Sequence, residues 1–358
     1  MRRLPLGALG PDPLLQVVVV ALMAVGGTAL YSATGGSEFF TRQMWFFALA
    51  FVAMLAVAHV PLQVMKWGAP VLYALVLFLL VLTHLFGEKA GGARRWLDVG
   101  VRIQPSEFMK IAAPLMLAWF YSLSDRSRWW QHIVAGGLLL VPFLLVLRQP
   151  DLGTALLILV SGFAVIFLAG LSWWLIGLGA VVSAAGAPYI WANVLKEYQR
   201  DRILTVFDPY RDPTGDGYHT IQSTIAVGSG GTWGKGWGQG TQAQLDFLPE
   251  KHTDFIFAVY AEEFGFVGCM VLLALNLALV MRGLAIGWKA GSKFEWLAAS
   301  AISVVYFFYV LVNLGMVSGV LPVVGLPLPI MSYGGTALMS IFVSLGILLA
   351  ISRSNRKA

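Results

Sequence analysis

Charge is what this chain has least of. Of its 358 residues only 12% are Asp, Glu, Lys or Arg, about half the share of an ordinary soluble domain. So little charge cannot clothe a water-soluble surface. Cysteine is scarcer still: Cys269 stands alone, which excludes an internal disulfide framework and any multi-cysteine metal site. Its place in an apolar run marks it as a packing residue. What is present instead is apolar, with 58% hydrophobic residues and a mean hydropathy of +0.76. That composition defines a polytopic, membrane-embedded protein, and nothing in it points to nucleic acid as a partner.

Ten apolar runs are long enough to cross hydrocarbon as helices, whose backbones satisfy their own hydrogen bonds. They lie near 14–33, 42–60, 69–86, 107–123, 132–147, 152–170, 172–193, 254–281, 296–319 and 331–351. The expected fold is all-α, one membrane domain over 1–358 with about ten transmembrane helices. A large extracytoplasmic loop, 194–253, separates the seventh from the eighth. Arg2 and Arg3 precede about twenty apolar residues with no small-residue cleavage site, which predicts a retained first span. With both termini set on the cytoplasmic side and the long loop set aside, including its Lys196, the basic residues divide eleven inside to seven outside. Arg126 and Lys357 are among the eleven. The modest bias favours cytoplasmic termini. Arg94, Arg95, Arg102, Lys110 and Arg148 fall on the outer face, where an anionic ligand would explain them.

One stretch concentrates chemistry. In DFLPEKHTDFIFAVYAEEFGF, residues 246–266, a polar loop carries Glu250, Lys251, His252 and Asp254 to the edge of an apolar run. A carboxylate beside hydrocarbon is costly without a partner or a task. Two readings stand open: Asp254 caps the helix, with Thr253 as a rival, or it does chemistry. Upstream, Pro105, Ser106 and Glu107 read as a helix start capped by Ser106, with Glu107 and Lys110 on one face. That pair is either a structural ion pair or a lysine held ready for phosphate, to which Arg94 and Arg95 would add. Asp151 reads as the cap of the sixth span, and Pro188 as a kink or break near the outer end of the seventh. At least one of Glu262 and Glu263 must face protein or a water-filled cavity, and Asn313 reads as a helix–helix hydrogen bond.

Two tempting motifs fail. GSGGTWGKG has Gly236 after Lys235 and no alternating strands and helices around it, so it is not a nucleotide-binding loop. Its glycines suit close backbone approach. Asp208, Asp212 and Asp216 are spaced by four, but Pro209, Pro213 and Gly215 prevent a shared helical face. The run 315–336, with Pro322, Pro327 and Pro329, cannot be regular helix and reads as a re-entrant wall of the site.

Five segments in order carry a resemblance over nearly the whole chain: GARRWLDVGVRIQPSEFMK, RQPDLGTAL, YQRDRILTVFDPYRDPTGDGYHTIQS, GSGGTWGKGWGQGTQAQLDFLPEKHTDFIFAVYAEEFG and NLGMVSGVLPVVGLPLPIMSYGG. They resemble the SEDS family (shape, elongation, division and sporulation), and within it the RodA branch. The resemblance implies a peptidoglycan glycosyltransferase of the inner membrane that polymerises lipid II during cell elongation, with ten spans and cytoplasmic termini. It places the family's essential Asp on Asp254 and its PSExxK pair on Glu107 and Lys110. It also implies a class B penicillin-binding protein as partner, alongside other membrane proteins of the elongation complex.

Joining lipid-linked sugars displaces a diphosphate from an anomeric carbon by a sugar hydroxyl, which must lose its proton. A carboxylate base is the minimum requirement, and Asp254 fits. The diphosphate leaves as an anion that Lys110, Arg94 and Arg95 can meet, with Arg200 and Arg202 from the long loop next. Asp151, Lys251 and His252 complete the candidate site. No cofactor is required, although a divalent cation such as magnesium or manganese can serve. The prenyl chains demand an apolar groove open to the bilayer. A lipid II flippase or other transporter is the competing function, and a non-catalytic scaffold the third.

Overall fold

The computed structural model describes residues 12–356 except 91–92, 99, 101, 125–127, 196, 212–214, 246 and 249. Arg2, Arg3, Arg126, Lys196, Asp212, Pro213 and Lys357, used above, lie outside the described residues. The protein is an all-α polytopic membrane protein. In chain order its long helices are α1 (Pro13–Thr34), α2 (Glu38–Val57), α3 (Leu62–Phe86), α4 (Pro105–Ser122), α5 (Trp129–Arg148), α6 (Leu152–Leu168) and α7 (Trp173–Tyr189). Three short helices follow, α8 (Glu197–Phe207), α9 (Asp216–Ser229) and α10 (Thr241–Gln244). The bundle is completed by α11 (Ile256–Trp288), α12 (Lys293–Val317) and α13 (Gly335–Asn355). Among the described residues eight helices are long and apolar enough to cross a membrane, and α6 is a shorter apolar helix. Pro105 opens α4, but Gln104 holds the cap position without a side-chain bond, and Ser106 is buried in the first turn. The serine cap expected from sequence is not formed.

The apolar helices do not share burial equally. About two thirds of the spanning window of α13 and 61% of that of α12 are buried, whereas none of the window at Trp173–Asn193 is. So α12 and α13 are core, packed with α4, α6, α11 and α2, while α7 presents apolar side chains outward all round. Pro188 does not break α7; the chain continues through a π-helical turn, Ile190–Val194. At one end of the bundle Arg282 pairs with Asp12 at 2.8 Å, and Ser352 donates to the same carboxylate at 3.0 Å. Asp12 also caps α1 through Leu15 N. One buried carboxylate thereby gathers the ends of α1, α11 and α13.

Two features were not legible as structure. The Gly-punctuated segment after α3 folds into a small antiparallel sheet, β1 (Glu88–Ala90), β2 (Ala93–Asp98) and β3 (Arg102–Ile103), in the order β1-β2-β3. The long loop is partly helical, and α9 occupies the first half of its glycine-rich stretch.

The glycines beyond α9 have a specific use. Helix α11 is interrupted at Gly265, with φ 62° and ψ −164°. The freed backbone groups pair with the loop: Lys235 N donates to Glu262 O, Gly236 N to Glu263 O, Phe266 N to Gly231 O and Val267 N to Thr232 O. A Cβ on Gly265 would lie 2.2 Å from Gly234 N, so main chain meets main chain with no room for a side chain. The buried Glu262 carboxylate completes the joint, accepting from Lys235 Nζ at 2.6 Å, Thr241 Oγ1 at 3.0 Å and Gln242 N at 3.1 Å. Glu263 accepts from Ser32 Oγ on α1. The two glutamates bind the long loop and α1 to α11.

Candidate active site

Residues 250–255 form the turn that feeds α11, and the turn is clamped from behind. Three successive carbonyls are engaged: His252 O by Tyr333 N at 2.9 Å, Thr253 O by Ser332 Oγ at 2.6 Å, and Asp254 O by Asn313 Nδ2 at 2.9 Å. Ser332 Oγ also accepts from Leu328 N at 2.7 Å, and Asn313 donates to Leu326 O at 2.7 Å. Irregular backbone buried in protein must satisfy its polar groups there, and here two side chains do so for the turn and the proline-rich segment together. Asn313 joins helix to turn and wall rather than helix to helix.

The Asp254 side chain is left free by the same construction. Phe255 occupies the N-cap position of α11 with no side-chain bond, so neither Asp254 nor Thr253 caps the helix. Thr253 Oγ1 instead donates to Glu250 Oε2 at 2.9 Å. Among the described residues the bond made by Asp254 is through its carbonyl, and no donor engages its carboxylate. Its Oδ2 looks onto Gly325, where an added Cβ would stand 3.5 Å away at a φ of 71°. Burial pushes the Asp254 carboxyl up to about 6; the negative charges of Glu250 and Asp151 add to the rise and Arg202 opposes it. Such a group is ionised in neutral water yet more basic than an ordinary aspartate.

Glu107 and Lys110 meet as the heptad-independent i,i+3 spacing requires, deep inside the bundle. Lys110 Nζ lies 2.7 Å from Glu107 and 2.9 Å from the Tyr309 hydroxyl, and stands 4.2 Å over the Tyr309 ring. Glu107 Oε2 accepts from Ser340 Oγ at 3.2 Å. The pair is 4–5% exposed. A buried polar knot therefore ties α4, α12 and α13, with protein partners for both charges. Tyr309 also lies within electrostatic reach of Asp151 and Asp254.

The remaining candidates are placed as follows. Asp151 caps α6 through Thr154 N at 3.2 Å and accepts from Gln104 Nε2 at 3.1 Å. Arg95 donates to the carbonyls of Gln149 and Pro150, which fastens β2 to the α5–α6 turn. Arg94 is exposed and reaches Leu85 O at 3.2 Å. Arg200 donates to Ala192 O at 2.8 Å, and its buried Nε has no hydrogen-bond partner among the described residues. Arg202 is the cation whose charge is felt at Asp254. Lys251 Nζ donates to Ala243 O at 2.7 Å, and the His252 ring stands 4.8 Å from that of Phe39. Tyr309, Ser332, Ser340 and Gly325 were not readable from sequence, because nothing in their local spacing distinguishes them from packing residues.

An apolar cleft of about 240 Å³ opens beside the clamped turn, between α6, α12 and residues 321–326. Its lining, which includes Leu156, Val160, Phe308, Val312, Val324 and Leu326, contains no polar side chain. Val324 and Leu326 flank Gly325, the residue facing the Asp254 carboxylate.

Fold and site together define an integral multi-pass membrane protein whose Asp254 carboxylate, unpartnered among the described residues, is held where an apolar cleft meets an irregular wall. The family model for the FtsW/RodA/SpoVE cell cycle proteins matches residues 13–357, and the chain belongs to that family. It is 47% identical over 349 residues to the peptidoglycan glycosyltransferase MrdB of Escherichia coli (strain K12), covering 95% of this chain and 93% of that protein. Among solved structures it is similar to a chain from work on the coordination of polymerization and crosslinking by a peptidoglycan synthase complex. That match has a TM-score of 0.84 at 36% identity, over 97% of this chain and 99% of that one. It is also similar to the rod shape determining protein RodA of Thermus thermophilus, with a TM-score of 0.74 at 30% identity over 96% and 97%.

Proposed function

We propose that this chain is a peptidoglycan glycosyltransferase that polymerises lipid II, with Asp254 as the general base. The observation that carries the base assignment is the Asp254 carboxylate itself: its turn clamped on three consecutive carbonyls, its side chain free of hydrogen-bond partners among the described residues, and its basicity raised by burial. An acceptor sugar hydroxyl gives its proton to Asp254 as its oxygen attacks the anomeric carbon of the donor. The bond from that carbon to the diphosphate oxygen breaks, and undecaprenyl diphosphate leaves with the electron pair. A base whose pKa lies near the working pH is best matched to such a transfer. One direct displacement inverts the anomeric centre.

The departing diphosphate needs cations, and Arg202 is the foremost candidate, with Arg200 beside it on α8. Arg94 is exposed enough to join them, whereas Arg95 and Lys110 act by holding β2 and the helix core in place. A divalent ion such as magnesium or manganese could take the Asp254 carboxylate as a ligand and would draw its other ligands from diphosphate and water. The apolar cleft suits the first isoprene units of a prenyl chain, the rest lying in the bilayer. The whole chain is read as one membrane domain of ten spans in the inner membrane, termini cytoplasmic and the 194–253 loop outside. A crosslinking class B penicillin-binding protein is the expected partner, together with other elongation-complex proteins. The transporter reading gains less support, because the polar groups inside the bundle, Glu107 with Lys110 and Asn276 with Tyr306, are tied to one another.

The test is polymer formation from purified lipid II by the purified protein with its penicillin-binding partner. Wild type should make glycan strands, and Asp254→Ala and Asp254→Asn should make none. Undiminished polymer from either variant removes Asp254 from the chemistry.

A further inference from the structure

A second cavity, of different character, adjoins the clamped turn at Lys251 and His252. It measures about 430 Å³ and sits between the C-terminal end of α1, the start of α2 and residues 243–252. That volume falls within the roughly 300–1,000 Å³ of small-molecule sites. Its lining mixes Thr34, Ser37, Phe39, Gln244, Lys251 and His252. The site described above uses none of the first four.

Several of these groups are available for a ligand. Ser37 precedes α2 without making a side-chain cap bond. Phe39 is 43% exposed although both of its neighbours are rings: His252 at 4.8 Å, tilted 30°, and Tyr333 edge-on at 5.2 Å. A partly exposed aromatic ring held by flanking rings is a platform for the C–H face of a pyranose, with the Ser37 hydroxyl and the His252 imidazole beside it to bond sugar hydroxyls; the Thr34 hydroxyl donates to Leu30 O and the Gln244 amide to Gly238 O, so these two offer their oxygens as acceptors. Lys251 is the single cation in the lining, too little positive charge for a diphosphate site. The lining is too polar for a prenyl chain. The cavity is coupled to the chemistry by covalent continuity, since His252 lies two residues before Asp254 and its carbonyl is one of the three clamped.

We propose that this cavity is the subsite for the saccharide of a lipid-linked substrate, next to the turn that carries Asp254. The assignment rests on the glycosyltransferase reading and extends it to residues of α1 and α2. Its test is equilibrium binding to the purified full-length protein in nanodiscs of two probes, lipid II and undecaprenyl diphosphate, which share the lipid and differ in the sugar. Phe39→Ala removes the platform, and Ser37→Trp fills the cavity from an exposed turn. Each should weaken lipid II binding by about tenfold or more, a loss of about 1.4 kcal/mol, while undecaprenyl diphosphate binding stays within about twofold. Equal weakening of both probes, or none for lipid II, overturns the proposal. Two unrelated exposed substitutions make a shared folding defect distinguishable from a selective loss. Because the readout is binding, failure of Asp254 as base leaves this result intact. Equal affinity of the wild type for the two probes also overturns the proposal, whereas a wild-type protein that binds neither probe would instead sink the underlying functional reading.

Discussion

Asp254 and Asn313 divide one task between side chain and backbone. The carboxylate can stay unpartnered because its own carbonyl is held, and Asn313 holds it while also holding Leu326 O on the opposing wall. Replacing Asn313 with Leu leaves two buried carbonyls without donors, at roughly 1–3 kcal/mol each. The expected result is a fall of about 10- to 100-fold in the rate of polymerisation with lipid II binding largely retained, measured by comparing kcat with KM. A change confined to KM would contradict a positioning role. Tyr309→Phe keeps the ring beneath the Lys110 ammonium and removes the hydroxyl that accepts from it. Loss of one hydrogen bond to a charged group should cost about 1.5–3 kcal/mol of stability, read as a lower thermal midpoint in detergent. Breaking the pair outright with Glu107→Gln should cost more, because it strands a buried ammonium.

Among elements, α11 depends most on a single residue. Gly265 adopts a backbone conformation that side chains avoid, and the break it creates is filled by residues 231–236. Gly265→Ala should therefore undo the joint between α11 and the long loop, with strain of order 1–3 kcal/mol before any lost hydrogen bond is counted. Gly291→Ala, where a Cβ meets nothing within 4 Å, is the matched control and should be silent. Protease sensitivity of the 230–245 segment reads the difference; equal resistance in both variants would contradict the joint. The elements also show where sequence reading stops. Helices were legible because apolar length alone calls for them in hydrocarbon. The small sheet and α9 were not, since Gly-rich polar sequence carries little periodicity and their form is set by what they dock on. Glu262 and Glu263 could be read as facing protein, but not which protein groups faced them.

At the scale of the whole molecule, the core of α4, α6, α12 and α13 supports a working face built from irregular chain: the 250–255 turn, the proline-rich wall and the long loop. Asp254, Glu107 and Lys110 stood out in the sequence because charge beside hydrocarbon is rare and costly. The clamp of Asn313, Ser332 and Tyr333 did not, because each is an ordinary polar residue until three distant segments meet. Helix α7, with none of its spanning window buried, is the bundle's outlier, its apolar side chains unmatched by protein, whereas the apolar cleft is walled by α6, α12 and residues 321–326.

The central claim is that Asp254 accepts the proton, and the pH dependence of polymerisation tests it most directly. A base works only when ionised, so protonation as pH falls must silence it. With the carboxyl at about 6, the wild-type rate should be flat above neutrality and fall tenfold per unit below about 6. Any residual rate of Asp254→Asn should lack that limb. A wild-type profile that stays level through pH 6, or an asparagine variant that keeps the same limb, would contradict the account.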